Sequence, residues 1–266
     1  MPVQRRPQVM YSFAHCHCHL ARLLHAIRWT MVLLLACGVA RPASAQTVVD
    51  LQLVLAVDCS NSVNDVRFEL QKQGYAAAFR NPQVIRAIGS GAVQAIAVTM
   101  VQWTGPFHHA QVVPWMLIKD SASAHAVADA IARSERELFG GHGTSISGAI
   151  DTGVMLLSQS PFKSSRRTID ISGDGRNSSG RPVIRARDDA VAAGIGINGL
   201  PIMSLDQTLD RYFHSFVIGG PGAFMIPAAN YENFADAIVK KLILEIAANE
   251  DAPTMKEWGA VLASTP

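Results

Sequence analysis

The chain has 266 residues, of which 49% are hydrophobic and 17% are charged. That balance allows a buried core and excludes a chain that is disordered as a whole. The formal net charge is +2, but five of the 23 basic residues lie in the first 45 positions, which contain no acidic residue. The remainder therefore has 18 basic and 21 acidic residues, a charge of −3. We expect no nucleic-acid partner for such a chain.

Residues 1–45 have the pattern of an export signal. A basic stretch precedes the short apolar run WTMVLLLACGVA at 29–40, and the triplet Ala-Ser-Ala at 43–45 is typical of a cleavage site. We predict cleavage after this triplet and a periplasmic or secreted mature protein. An alternative is a lipid anchor at Cys37, because the preceding residues are similar to a lipobox. The apolar run is too short for a membrane span, and the mature chain is predicted to have none.

Strands and helices alternate along the rest of the chain. Strands are predicted at 49–57, 93–104, 110–118, 166–172, 194–202 and 223–226. Helices are predicted at 63–80, 83–88, 121–134, 146–158, 182–193, 205–216 and 230–248. This alternation predicts an α/β fold with three layers, doubly wound around a mostly parallel sheet that has one antiparallel edge strand. Pro114 favours the edge position for the strand that contains it.

The hydrophobic spacing also predicts which helix faces are buried. In the helix at 63–80 the predicted apolar stripe includes Val66 and Ala77, and the outer face includes Arg67 and Gln71. The last helix is predicted to be buried along one stripe: Phe234, Ile238, Leu242 and Ile246. Residues 46–248 are expected to form one domain, and the weakly periodic tail 249–266 is expected to be flexible.

Oxygen-bearing side chains follow two of the predicted buried strands and open one helix. Asp58 ends the first strand and is followed by Ser60 and Ser62, while Asp174 follows the strand at 166–172. Thr144 lies in the glycine-rich loop before the helix at 146–158. In a doubly wound sheet such turns meet at the carboxyl edge, where ligands bind. Oxygen ligands of this kind suit a hard divalent cation, Mg²⁺ by preference, with Ca²⁺ or Mn²⁺ as alternatives.

These stretches carry a resemblance to a known family. An Asp-x-Ser-x-Ser turn after a buried strand, a Thr in a Gly-Thr loop and a later Asp-Gly turn resemble the metal-ion-dependent adhesion site (MIDAS) of von Willebrand factor type A (VWA) domains. The chain resembles in particular a bacterial exported group of such domains without an assigned function. The resemblance implies that Ser60, Ser62 and Thr144 coordinate the metal directly, and that Asp58 and Asp174 act largely through bound waters.

The resemblance implies a binding module, which would grip a carboxylate of a protein partner through the cation, rather than an enzyme. The sequence departs from many VWA domains at Gly173 and the residue before it, where bulkier residues are common. One alternative is a Mg²⁺-dependent phosphohydrolase, which would need an acid/base carboxylate where Ser60 stands. Another is a structural module with an unused metal site. Cys59 is expected to be an inert thiol, although His142 is a conceivable partner for it, and Arg176 is a candidate to steer an acidic ligand.

Overall fold

The computed structural model describes residues 46–139 and 143–247. Its strands are β1 (Thr47–Val48), β2 (Leu51–Asp58), β3 (Ile96–Trp103), β4 (His109–Ile118), β5 (Phe162–Lys163), β6 (Arg167–Gly173) and β7 (Gly196–Pro201). Its helices are α1 (Asp65–Arg80), α2 (Pro82–Gly89), α3 (Ser121–Arg133), α4 (Ile146–Ser158), α5 (Val183–Ala192), α6 (Leu209–Tyr212) and α7 (Phe234–Ala247). A π-helical turn, Phe213–Val217, continues α6.

Five strands form the central sheet in the order β4-β3-β2-β6-β7. All neighbours are parallel except β3 and β4, which pair antiparallel with an irregular register near Met100. The two-residue strands β1 and β5 form a separate parallel pair. Pro114 lies in β4, at the edge of the sheet, where its missing N–H leaves no partner strand unsatisfied. The predicted mostly parallel sheet with one antiparallel edge strand is confirmed.

Strand β2 is buried on both faces and therefore separates two hydrophobic layers. Leu53 and Leu55 point into a core formed with α1, α2, α3 and α7. Val54 and Ala56 point into a second core formed with α4, α5 and α6. Because side chains alternate across a strand, an unbroken apolar run serves both cores. This arrangement confirms the predicted three-layer, doubly wound α/β fold.

The buried face of α1 differs from the prediction. Val66 is 69% exposed and Ala77 is also exposed, whereas Phe68, Tyr75 and Phe79 fill the core. The aromatic side chains bury more apolar area than the valine and alanine, and their positions decide how the helix is rotated about its axis. Gln71, which was predicted to face outward, is fully buried as a result.

The end of the domain differs less from the prediction. The predicted strand at 223–226 is reduced to isolated bridges, in which Met225 pairs with Gly199 and Ala228 with Ile202. The predicted stripe of α7 is confirmed, because all four of its apolar residues are buried. No helix within 46–139 and 143–247 combines the length and the hydropathy that a bilayer span requires. The predicted export signal, the loop residues 140–142 and the predicted tail 249–266 lie outside the described residues.

Helix α1 packs closely on α7 through a glycine. A Cβ atom at Gly74 would lie 2.7 Å from the Phe234 ring and 3.3 Å from the Ala235 backbone. We expect Gly74→Ala to lower the free energy of unfolding by about 1–3 kcal/mol, since overpacking here must displace a buried helix. Gly89→Ala is the matched control, because a Cβ at the last residue of α2 meets nothing within 4 Å. Urea unfolding of both variants tests this, and equal stability would contradict it.

Candidate metal centre

The first turn of the site follows directly from the end of β2. Asp58 is fully buried, and its Oδ1 atom accepts a hydrogen bond of 2.7 Å from the Ser60 N–H. An aspartate that caps its own backbone two residues on makes a tight turn. The turn brings the Ser60 and Ser62 hydroxyl oxygens within 3.1 Å of each other. Three oxygen-bearing side chains thus lie together at the carboxyl edge of the sheet.

The second turn follows β6, the neighbour of β2. The two strands are parallel, and Val57 is in register with Ser172, so the turns that follow them lie side by side. The Ser62 hydroxyl donates to Asp174 Oδ1 at 2.6 Å. The structure therefore brings together the predicted pair of carboxylates and two predicted hydroxyls: Asp58, Ser60, Ser62 and Asp174.

Thr144 precedes α4 and is held against the turn after β6. Its backbone N–H donates to the Ser178 hydroxyl at 2.9 Å, and its carbonyl accepts from the Ser178 N–H at 2.8 Å. A Cβ atom placed on Gly175 would lie 3.6 Å from the Thr144 hydroxyl oxygen. Thr144 thus lies beside Gly175, the residue that follows Asp174.

One oxygen of Asp58 is buried without a partner. Asp58 Oδ2 accepts no hydrogen bond from any residue within the described ranges. A Cβ atom at Gly173 would approach this oxygen to 2.9 Å, so the glycine leaves space that a larger residue would fill. The pKa of Asp58 is raised to about 7, mainly by burial. The charge of Asp174 adds to the rise, and the hydrogen bonds from Ser60 and the nearby backbone of Asp174 oppose it.

The donor set fits a hard cation. It consists of carboxylate and hydroxyl oxygens, the ligands that Mg²⁺ and related ions prefer. The described part of the chain contains no group of three or more His, Cys, Asp and Glu residues placed to hold a metal. A site here would thus depend on Ser60, Ser62 and Thr144 in addition to its two carboxylates. The unpartnered Asp58 oxygen is the feature that a cation nearby would satisfy.

Cys59 lies inside the site turn and has the properties of a structural residue. Its thiol is buried and donates to the Trp103 carbonyl at 3.2 Å. Burial raises the pKa of Cys59 to about 12, with the charge of Asp58 as the next contribution. A thiol with such a pKa carries almost no thiolate at neutral pH. His142, its conceivable partner, lies outside the described residues.

Two residues at the site were not predicted. The Tyr231 hydroxyl donates to Asp174 Oδ2 at 2.9 Å, and Arg67 Nη1 lies 3.7 Å from the same oxygen. Arg67 also donates from Nη1 to the Ser62 carbonyl at 2.6 Å, and its guanidinium lies over the Tyr231 ring at 5.4 Å. The hydrophobic spacing within the helix predicted an outer face for Arg67. Such local spacing does not predict contacts with residues that are distant in sequence.

Arg176, the arginine that was expected to steer a ligand, is occupied elsewhere. Its Nε atom forms an ion pair with Asp206 at 2.8 Å, and its Nη2 atom donates to the Thr208 hydroxyl at 2.7 Å. The guanidinium also lies over the Tyr212 ring. These contacts neutralise the charge of Arg176 and turn it toward the loop after β7.

Solved structures share this fold. Proximal thread matrix protein 1 (PTMP1) from the mussel byssus is 12% identical, with a TM-score of 0.56 over 76% of this chain and 49% of that one. A von Willebrand factor type A protein from Catenulispora acidiphila is 16% identical, with a TM-score of 0.51 over 74% of this chain and 43% of that one. A further PTMP1 structure, with a zinc-occupied MIDAS motif, is 11% identical, with a TM-score of 0.50 over 76% and 49% of the two chains.

The fold is therefore that of a VWA domain, and the chain spans less than half the length of these structures. The sequence itself gives the narrower assignment. The chain belongs to the family described as "Protein of unknown function (DUF1194)", which matches residues 48–250. No curated protein matches the sequence.

Proposed function

We propose that this protein is an exported VWA-type module that holds a divalent cation and uses it to bind an acidic group of a protein partner. The cation ligands would come from both carboxylates and the three hydroxyls of the candidate centre: Asp58, Ser60, Ser62, Thr144 and Asp174. Mg²⁺ is the preferred ion, with Ca²⁺ and Mn²⁺ as alternatives. Export to the periplasm or the cell exterior follows from the sequence pattern of residues 1–45.

The observation that carries this proposal is the unpartnered, buried oxygen of Asp58. Leaving a carboxylate oxygen buried without a donor is unfavourable, and most buried polar groups in native proteins have a partner. Here it belongs to the turn that also aligns Ser60 and Ser62 and contacts the second carboxylate, Asp174. A divalent cation supplies the missing charge. The zinc-occupied MIDAS of the structurally similar PTMP1 supports a divalent ion in this fold.

The chemistry of the ligand set favours binding over catalysis. Three of the five proposed ligands are neutral hydroxyls, so a bound cation keeps much of its positive charge and attracts an external carboxylate. A phosphohydrolase would need a second carboxylate two residues after Asp58, and Ser60 occupies that position. Cys59 is buried with a raised pKa and is not a nucleophile.

Calorimetric titration of the domain with Mg²⁺ tests the proposal. We expect the wild type to bind the ion and Asp58→Ala to lose at least about a hundredfold in affinity, because a principal charge of the site is removed. Asp129→Ala is the matched control, since this half-exposed aspartate on α3 pairs with Arg80, away from the site. Circular dichroism should show that all three proteins are folded. A wild type that binds none of Mg²⁺, Ca²⁺ and Mn²⁺ would contradict the proposal.

A further inference from the structure

Arg67 places a positive charge at the rim of the candidate centre. Its Nη1 atom lies 3.7 Å from Asp174 Oδ2 and donates to the Ser62 carbonyl. The Tyr231 ring supports the guanidinium from one side, and the Tyr231 hydroxyl holds the same carboxylate oxygen. Because these contacts fix one nitrogen and one face, the guanidinium is held in a defined orientation beside the proposed cation ligands.

The rest of this guanidinium is available. Within the described ranges, Arg67 Nε and Nη2 have no hydrogen-bond acceptor, and the side chain is 30% exposed. The two other arginines near the centre are engaged differently. Arg136 donates to the carbonyls of Cys59 and Val63 and pairs with Asp65, and Arg176 is paired with Asp206. Arg67 thus contacts the candidate centre directly and still has donors to offer to a ligand.

We propose that Arg67 is a second anchoring point for the ligand, so that one carboxylate is bound by the cation through one oxygen and by Arg67 through the other. This inference depends on the proposed function. A guanidinium presents its donors in a fixed plane and so orients the oxygen that it holds, whereas a lysine ammonium is a point charge on a flexible stem. A ligand with a single anionic atom, such as chloride, cannot bridge the two positions in this way.

The same geometry makes the cation and the anion bind cooperatively. Without a ligand, Arg67 would be a second positive charge close to a cation held by the centre, and their repulsion would weaken cation binding. A bridging carboxylate lies between them and removes that repulsion. The anion therefore raises the affinity for the cation, and by linkage the cation raises the affinity for the anion by the same factor.

Mn²⁺ titrations of wild type, Arg67→Gln and Arg67→Lys, each in sodium chloride and in sodium acetate of equal ionic strength, test this inference. In chloride we expect Arg67→Gln to bind Mn²⁺ roughly three- to tenfold more tightly than the wild type, since the repulsion is lost at a partly exposed site. Arg67→Lys retains the charge and should bind Mn²⁺ like the wild type. Acetate should strengthen Mn²⁺ binding by the wild type relative to both variants, which lack the fixed planar donors of the guanidinium.

The comparison between variants in the same acetate solution removes the effect of acetate on free Mn²⁺. Arg80→Gln is the matched control, because Arg80 lies on the same helix and pairs with Asp129. If Arg67→Gln binds Mn²⁺ no better than the wild type in chloride, or if acetate acts equally on all variants, the inference is wrong while the proposed cation site stands. If the wild type binds no Mn²⁺ in either salt, the proposed function itself fails.

Discussion

Lys241→Met is expected to lower the free energy of unfolding by about 3–5 kcal/mol, because removing one partner of a buried ionic cluster leaves uncompensated charge in the core. Lys241 Nζ lies 2.8 Å from Asp170 Oδ1 and 2.9 Å from Glu245 Oε2. All three side chains are buried. Asn198 completes the cluster by donating to Glu245 Oε1 at 3.0 Å. The cluster joins α7 to β6 and β7 beneath the sheet.

The loss of stability caused by Lys241→Met is expected to increase as pH rises. Burial raises the pKa of Asp170 to about 7, and the attraction of Lys241 opposes that rise. Without the lysine the carboxyl group is harder still to ionise, whereas in the unfolded chain it ionises at its ordinary pKa of 3.8. The unfolded variant therefore releases protons that the folded variant keeps, and its stability falls as pH rises. The variant should be most destabilised, relative to wild type, above neutral pH.

Urea unfolding between about pH 5 and pH 8 measures both effects. Lys240→Met is the matched control, because Lys240 is the exposed neighbour on the same helix and should change the stability little. Adding Asp170→Asn to Lys241→Met should recover part of the loss, since it removes one unpaired carboxylate. A Lys241→Met protein as stable as the control would show that the cluster contributes little to holding α7.

The sequence predicts the fold well where the spacing of the hydrophobic residues reflects which side chains are buried. The unbroken run that became β2 and the stripe of α7 identify buried faces, because each repeats at the spacing of its element. The same reasoning fails for Lys241 and Glu245, which adjoin that stripe as charged residues and are nevertheless fully buried. Their partner Asp170 is a single charge inside an apolar strand, and nothing local shows that it faces α7.

The sequence likewise predicted some residues of the candidate centre and missed others. Asp58, Ser60 and Ser62 belong to one turn, and the parallel pairing of β2 with β6 brings Asp174 to them. These positions follow from general rules about the carboxyl edge of a doubly wound sheet. Tyr231 is 57 residues from Asp174, in a loop whose course depends on how α7 packs, so its contact could not be inferred from spacing.

Asp58→Asn is expected to make the metal-free protein less sensitive to pH and more stable above neutrality. The pKa of Asp58 is about 7 in the folded protein and 3.8 at its ordinary value. Between these values the folded protein holds a proton that the unfolded chain releases, so the stability is full at low pH and is lost as pH rises through about 7. Asparagine does not titrate, and it can still accept from the Ser60 N–H.

In the presence of chelator, the wild type should lose about 2–3 kcal/mol more of its unfolding free energy than Asp58→Asn between about pH 5 and pH 8. Asp170 titrates in both proteins, so the difference between them isolates Asp58. Adding Mg²⁺ at the higher pH should then stabilise the wild type and leave Asp58→Asn unchanged, because only a folded state that binds the ion gains from it. Parallel pH profiles would mean that Asp58 is ionised and already compensated in the metal-free protein. Asp58 would thus lower the stability of the metal-free protein at neutral pH, and the same residue would give the protein its affinity for a cation.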